Sequence, residues 1–143
     1  MLKKVEHCNV EAMLRVKQHI MDHPHNFNMG SFHMVDVNCG TICCIGGWAI
    51  ELADEAEREA AFEKGIERAR TQHDLMEDEV AAQLLLGIDE HTAWDLFYCE
   101  DSTSGRRVSV TDVLHNVTVA QAVQAIDNVI AYGEPRWKEI LNA

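Results

Sequence analysis

Three cysteines lie close together in the chain, at Cys39, Cys43 and Cys44. A thiol in the first turn of a helix feels the positive end of the helix dipole and loses its proton more easily, which would make it a nucleophile. Catalysis by such a thiol also needs a histidine base beside it, which His33 or His115 could supply after folding. These five residues are the candidate catalytic set.

Metal binding is a second chemistry open to the same region. The chain has eight histidines, of which His19 and His23 are one helical turn apart, and Cys39 with Cys44 could complete a set of four zinc ligands. Structural zinc sites usually contain two close ligand pairs such as Cys-x-x-Cys, and a second close pair is lacking here. We therefore expect no cofactor, with zinc as the alternative.

Packing is the interpretation of the cysteine segment that we prefer. Thr41 is placed to cap a helix over 42–54, and Gly46 and Gly47 fall inside that helix. Each glycine costs a helix on the order of 1 kcal/mol relative to alanine, so their presence predicts that another backbone passes very close. Small thiols, which are among the most buried side chains, would fill the space around the two glycines.

The elements that must position these residues are mostly helices, as the spacing of apolar residues and the capping signals indicate. Asn9, Asp89 and Thr118 are placed as N-caps, and Gly87 and Gly133 as C-terminal stops. Opposite charges at Asp54 and Arg58 favour a solvent-facing helix. The predicted helices cover 9–23, 42–54, 54–72, 78–86, 89–98, one or two turns from 111, 118–132 and a short piece after 135.

The aromatic residues Trp94, Phe97, Tyr98 and Trp137 occur at helical spacing. They could mark a binding pocket, but we expect them to belong to the main core. The polar stretch 100–105 is predicted to be a surface loop.

The order of these elements excludes several fold classes. The sequence has no repeat of fixed period, no heptad run and no alternation of strands with helices. We predict a mainly α fold in a single domain over 1–143, an irregular orthogonal bundle of about six to eight helices. One short extended segment is expected near 32–37.

The charge balance narrows the classes of partner. The chain has 12 Lys and Arg residues and 24 Asp and Glu residues, so its net charge is -12. The sequence has no contiguous basic stripe that could bind phosphate groups. Direct binding to nucleic acid or to an anionic membrane is disfavoured. An acidic surface fits a basic protein partner, including one whose nucleic-acid groove it occupies by mimicry, and it also serves solubility.

The N-terminal residues and the cysteine count bear on location. The first seven residues lack the apolar stretch of a secretory signal, and no run approaches the length needed to span a bilayer. Five cysteines are an odd number, which favours reduced thiols over a disulfide framework. We expect a cytoplasmic protein.

Two stretches of the chain carry a likeness to known proteins: 23–29, and the cysteine segment with Gly47-Trp48-Ala49. With these residues the chain resembles a group of small uncharacterised proteins of bacteria and their phages that share a Cys-Gly-Thr-x-x-Cys-x-x-Gly-Trp-Ala signature. The likeness extends over most of the chain and departs from the group after Tyr98. The resemblance implies a phage or mobile-element context and a role in binding a host macromolecule, and it carries no catalytic residue or cofactor.

Two function hypotheses remain open. The first is a non-enzymatic accessory or regulatory protein that acts by binding another protein, with the acidic surface steering association. The alternative is a thiol-dependent or metal-dependent enzyme centred on the cysteines of 39–44.

Overall fold

The fold is known from a computed structural model, which describes residues 6–36, 40–70, 75–101, 108–111 and 113–141. The protein is mainly α-helical in these residues, with seven helices, which confirms the predicted fold class. The helices are Val10–Asp22 (α1), Ile45–Leu52 (α2), Glu55–Ala69 (α3), Glu77–Leu86 (α4), Glu90–Tyr98 (α5), Val119–Tyr132 (α6) and Trp137–Leu141 (α7). Single 3-10 turns lie at Pro24–Asn26 and Leu114–Asn116.

Two small antiparallel sheets accompany the helices. Strand β1 (Met34–Asp36) pairs with β2 (Gly40–Ile42), with Met34 opposite Ile42. Strand β3 (Glu100–Asp101) pairs with β4 (Val108–Ser109). The extended segment expected near 32–37 is thus confirmed as β1. The prediction of a loop over 100–105 is wrong at its start, because residues 100 and 101 form strand β3 and pair with β4. Residues 102–105 lie outside the described residues.

Helix ends follow the predicted capping signals. The Asn9 side chain accepts a hydrogen bond from the backbone N–H of Ala12 at 3.2 Å, and Asp89 accepts one from that of Thr92 at 2.7 Å. Thr118 and Gln121 form a reciprocal capping box at the start of α6. Both Gly87 and Gly133 adopt the left-handed conformation that ends a helix, with φ of 64° and 81°.

One cluster of buried apolar side chains forms the core and draws on all seven helices. Helix α1 packs against α2 and α6, while α4 packs against α2 and α3. Helix α3 lies close to α4 at Gly65, where an added Cβ would lie 2.6 Å from the carbonyl oxygen of Glu77. Trp137 is fully buried, and its indole N–H donates to the carbonyl of Asp95 at 2.8 Å. In the described part of the chain, none of the helices is long and apolar enough to cross a bilayer.

The start of α2 differs from the prediction. Thr41 lies in β2 and does not cap the helix; the cap is Cys44, whose Sγ accepts the Gly47 N–H at 3.5 Å. The reason is tertiary. The Cys43 N–H donates to the Asn26 carbonyl at 3.1 Å and the Cys44 N–H to the Ser31 carbonyl at 2.7 Å, so a distant loop holds both residues extended.

The pairing of Asp54 with Arg58 is also wrong. The Arg58 guanidinium donates instead to the backbone carbonyls of Ile50, Glu51 and Ala53, at 3.0 to 3.1 Å. Carbonyls in the last turn of a helix have no partner within the helix, so a guanidinium beside them satisfies several at once. Asp54 caps α3, accepting the Glu57 N–H at 2.8 Å.

Candidate functional site

The cysteines of the described chain are buried free thiols. Cys43 is fully buried and Cys44 is 2% exposed. Burial raises the pKa of the Cys43 thiol to about 12, with the neighbouring Cys44 adding to the effect. Burial likewise raises the pKa of Cys44 to about 11, although the backbone N–H groups of Gly47 and Gly46 oppose it. The expected lowering by the helix dipole is therefore wrong, because desolvation of the thiolate outweighs it.

The two candidate bases lie at the surface. His33 Nε2 is 3.0 Å from Glu51 Oε1, and its side chain is 49% exposed. His115 is exposed in the 3-10 turn Leu114–Asn116. Within the described residues, no hydrogen bond joins either histidine to Cys43 or Cys44, and Cys39 lies outside those residues. In the part of the chain that is described, the structure therefore does not bring His33 or His115 together with the thiol of Cys43 or Cys44 as a catalytic pair.

The proposed zinc ligands are brought together only in part. The rings of His19 and His23 lie 4.7 Å apart, and the His19 ring also lies 4.1 Å from Trp48. Burial, and then the charge of His23, lower the pKa of His19. Among the residues whose placement is described, no three His, Cys, Asp or Glu side chains converge as a metal site requires.

The close backbone approach expected at the two glycines is confirmed at Gly47, whereas the neighbours of Gly46 are aromatic rings. A Cβ at Gly47 would lie 1.7 Å from the carbonyl oxygen of Phe32, and one at Gly46 would lie 2.8 Å from the Phe32 ring. Only a residue without a Cβ allows the loop over 31–32 to lie directly on α2.

Beside this contact, a cleft of about 250 Å³ opens where several elements meet. Its walls come from the loop before β1, the cap of α2, the start of α4 and the end of α5. Most lining side chains are apolar or aromatic, and two are carboxylates. The described lining residues are Met29, Gly30, Phe32, Cys44, Met76, Asp78, Glu79, Phe97, Tyr98 and Leu114.

Glu79 is the central polar group of the cleft. It is only 5% exposed, and its Oε1 accepts the backbone N–H of Met76 at 2.9 Å. Its Oε2 accepts a hydrogen bond from the Tyr98 hydroxyl. Burial, and then this bond and the charge of Glu79, raise the pKa of Tyr98 above its usual range, so the phenol stays protonated and donates.

Asp78 adds a second carboxylate to the same wall. Its Oδ1 accepts the backbone N–H of Glu79 at 3.1 Å, and its charge contributes to the raised pKa of Tyr98. The cleft thus offers carboxylate oxygens as acceptors, aromatic surface and a neutral thiol. This chemistry suits the binding of a cation better than nucleophilic attack.

Sequence reasoning missed Glu79 as a site residue and assigned Phe97 and Tyr98 to the core. Phe97 is indeed buried, at 3% exposure, but both residues also line the cleft. Only part of a signal was present in the sequence: Glu79 is placed as the acidic residue of a capping box ahead of an apolar run, but the cap position, Met76, is not Ser, Thr, Asp or Asn. The contact of Glu79 with Tyr98, 19 residues away, leaves no such signal.

The chain matches no protein-family model, no curated protein and no solved structure.

Proposed function

We propose that this protein is a non-enzymatic accessory or regulatory protein that acts in the cytoplasm by binding another protein with a basic surface. The observation that carries the proposal is the charge balance, 24 carboxylate residues against 12 basic ones. Such an excess attracts a positively charged partner and raises the rate of encounter.

The outer face of α3 presents part of this charge, with five exposed glutamates against the exposed Lys64 and Arg68. Its side chains are mostly exposed, and the one basic residue of its first turns, Arg58, is turned inward onto the end of α2. Arg58 therefore does little to neutralise the exposed face. The exposed glutamates of α3 are Glu55, Glu57, Glu59, Glu63 and Glu67.

The alternative of a thiol-dependent enzyme has less support. A thiol with a pKa of about 11 or 12 is protonated at neutral pH, and thiolate is the nucleophilic form.

The resemblance to bacterial and phage proteins favours a host protein as the partner.

The test is affinity capture from a bacterial lysate, followed by measured binding of the purified candidate partner. We expect a basic protein that binds at about 50 mM salt and weakens at least about tenfold near 500 mM, where the Debye length is only a few ångströms. A double variant, Glu63→Gln with Glu67→Gln, should slow association, whereas Lys64→Gln, on the same helix, should not.

Failure to capture a partner at either salt concentration would refute the proposal. Binding that is independent of salt and of both variants would refute the electrostatic part. Rapid thiol labelling at pH 7, or a bound metal found by elemental analysis, would favour the enzyme alternative.

A further inference from the structure

We propose that the cleft at the start of α4 receives an arginine side chain of the basic partner. The inference rests on the proposed function and deepens it, since it specifies which group of the partner is recognised and where. The observations that carry it are a buried carboxylate, aromatic walls and a volume suited to one side chain.

The charge of the cleft determines the charge of its occupant. Asp78 and Glu79 are the charged groups among its described lining residues. Among the residues that the structure describes, no Lys, Arg or His side chain forms an ion pair with Asp78 or Glu79. Glu79 is 95% buried, and its carboxylate is held by two hydrogen bonds from neutral donors, without a positively charged side chain of the described chain paired with it. A cationic ligand would supply that charge.

The carboxylate of Glu79 keeps acceptor capacity for such a ligand. Each carboxylate oxygen accepts one hydrogen bond, from the Met76 N–H and from the Tyr98 hydroxyl. A carboxylate has about four acceptor sites, so each oxygen keeps capacity for a further donor. The two existing bonds hold the carboxylate in place, which lowers the entropic cost of binding.

The walls favour a guanidinium over an ammonium. The Phe32 and Phe97 rings stand nearly perpendicular at 84°, with centroids 6.1 Å apart, and Tyr98 also lines the cleft. A guanidinium stacks on aromatic faces, donates several hydrogen bonds in its plane and is less strongly hydrated than an ammonium. It therefore loses less on entering a largely apolar cleft.

Size and the rim point to a side chain on a protein. Small-molecule pockets usually exceed about 300 Å³, whereas this cleft measures about 250 Å³. Met76, at the rim, is 70% exposed. An exposed methionine is a flexible apolar contact for residues that flank the inserted side chain.

The experiment uses three neutral-backbone probes on the full chain: N-acetylarginine methylamide, its lysine analogue and its citrulline analogue. Citrulline has nearly the shape of arginine but no charge. Binding is followed by backbone amide chemical shifts. We expect saturable shifts at 29–32, 76–79 and 97–98 with arginine, and an affinity at least about tenfold lower for citrulline and severalfold lower for lysine.

Two variants locate the effect. Glu79→Gln retains an acceptor for the Met76 N–H, because glutamine also serves in a capping box, and should weaken arginine binding about tenfold. Glu77→Gln removes the same charge from the same turn at an exposed position and should change binding less than about twofold. The comparison of probes on the unaltered chain needs no variant, so it remains decisive if Glu79→Gln does not fold.

Equal shifts from arginine and citrulline, or shifts confined to residues outside the cleft, would overturn the inference. Lysine binding as tight as arginine would overturn the choice of guanidinium. If a captured basic partner binds the Glu79→Gln variant and the unaltered protein equally, the inference fails and the proposed function stands. If arginine binds in the cleft but no partner exists, the proposed function fails instead.

Discussion

Replacing Gly47 with alanine tests the packing that organises the cysteine segment. The new Cβ would lie 1.7 Å from the Phe32 carbonyl oxygen and 2.7 Å from the Cys43 Cβ. Ordinary contact begins at 3.4 Å, so the backbone at Phe32 must withdraw by about 1.7 Å. That movement breaks or stretches the 2.7 Å bond from the Cys44 N–H to the Ser31 carbonyl.

The net effect of Gly47→Ala follows from opposing contributions. Because the clash at 1.7 Å is with a backbone atom, overpacking costs the upper part of its usual range, about 2–3 kcal/mol. A weakened buried hydrogen bond costs about 1 kcal/mol more, and alanine gains about 1 kcal/mol in helix propensity, so these two contributions cancel. We expect the free energy of unfolding to fall by about 2–3 kcal/mol. For a chain of this size, Tm should fall by roughly 3 °C per kcal/mol, hence by roughly 6–9 °C.

The assay is urea unfolding followed by tryptophan fluorescence, with Gly46→Ala as the matched control. Its Cβ would meet ring atoms of Phe32 at 2.8 Å and of Phe97 at 3.1 Å, and rings can rotate away more easily than a backbone carbonyl. We expect a smaller loss there, about 1 kcal/mol. A Gly47→Ala protein as stable as the unaltered one, or a Gly46→Ala protein that is the less stable of the two, would refute this reasoning.

Three further predictions concern caps and thiols. Arg58→Met keeps the apolar stem but removes the hydrogen bonds to the last turn of α2, and should lower the free energy of unfolding, measured in urea, by about 1–2 kcal/mol. The control Lys64→Met, at an exposed position on the same helix, should change it by less than about 0.5 kcal/mol. Equal effects of the two substitutions would contradict this account. The contribution of the buried thiols to stability should be complete below about pH 9, where the thiols of the unfolded chain stay protonated. It should fall as the pH rises towards the folded pKa values, about 11 for Cys44 and about 12 for Cys43. The decrease in urea midpoint between about pH 8 and about pH 10.5 should therefore be smaller in Cys43→Ala than in the unaltered protein. An equal fall in that variant would count against buried thiols as the cause. Thr118→Ala should cost about 1 kcal/mol by thermal unfolding and Thr118→Ser much less, since serine keeps the capping hydroxyl; a neutral alanine variant would show that the box contributes nothing.

Local chemistry was sufficient to predict most of the helices. The caps at Asn9, Asp89 and Thr118 and the stops at Gly87 and Gly133 are where the sequence places them. An N-cap depends on a side-chain oxygen that lies within a few residues of unpaired backbone N–H groups, and a stop depends on a residue that tolerates a positive φ. Such signals are short in range, so they can be recognised without knowing the fold.

The errors in prediction arose where a distant segment decided the outcome. Residues 41 and 42 are extended because they pair with β1, and residues 43 and 44 because their N–H groups donate to the loop over 26–31, which together override the capping signal at Thr41. Arg58 donates to three backbone carbonyls at the end of α2 and not to the nearby Asp54. In both cases a partner brought close by folding competed successfully with a neighbour in sequence.

The sequence by itself determined that the chain is acidic and mainly helical, and that something must pass close to Gly46 and Gly47. Only the tertiary structure decided what that neighbour is, that the thiols beside it are buried and protonated, and that Glu79 and Tyr98 meet in a cleft. Composition and periodicity are properties of each segment alone. Desolvation and contacts across the fold exist only once segments far apart in the chain have packed together.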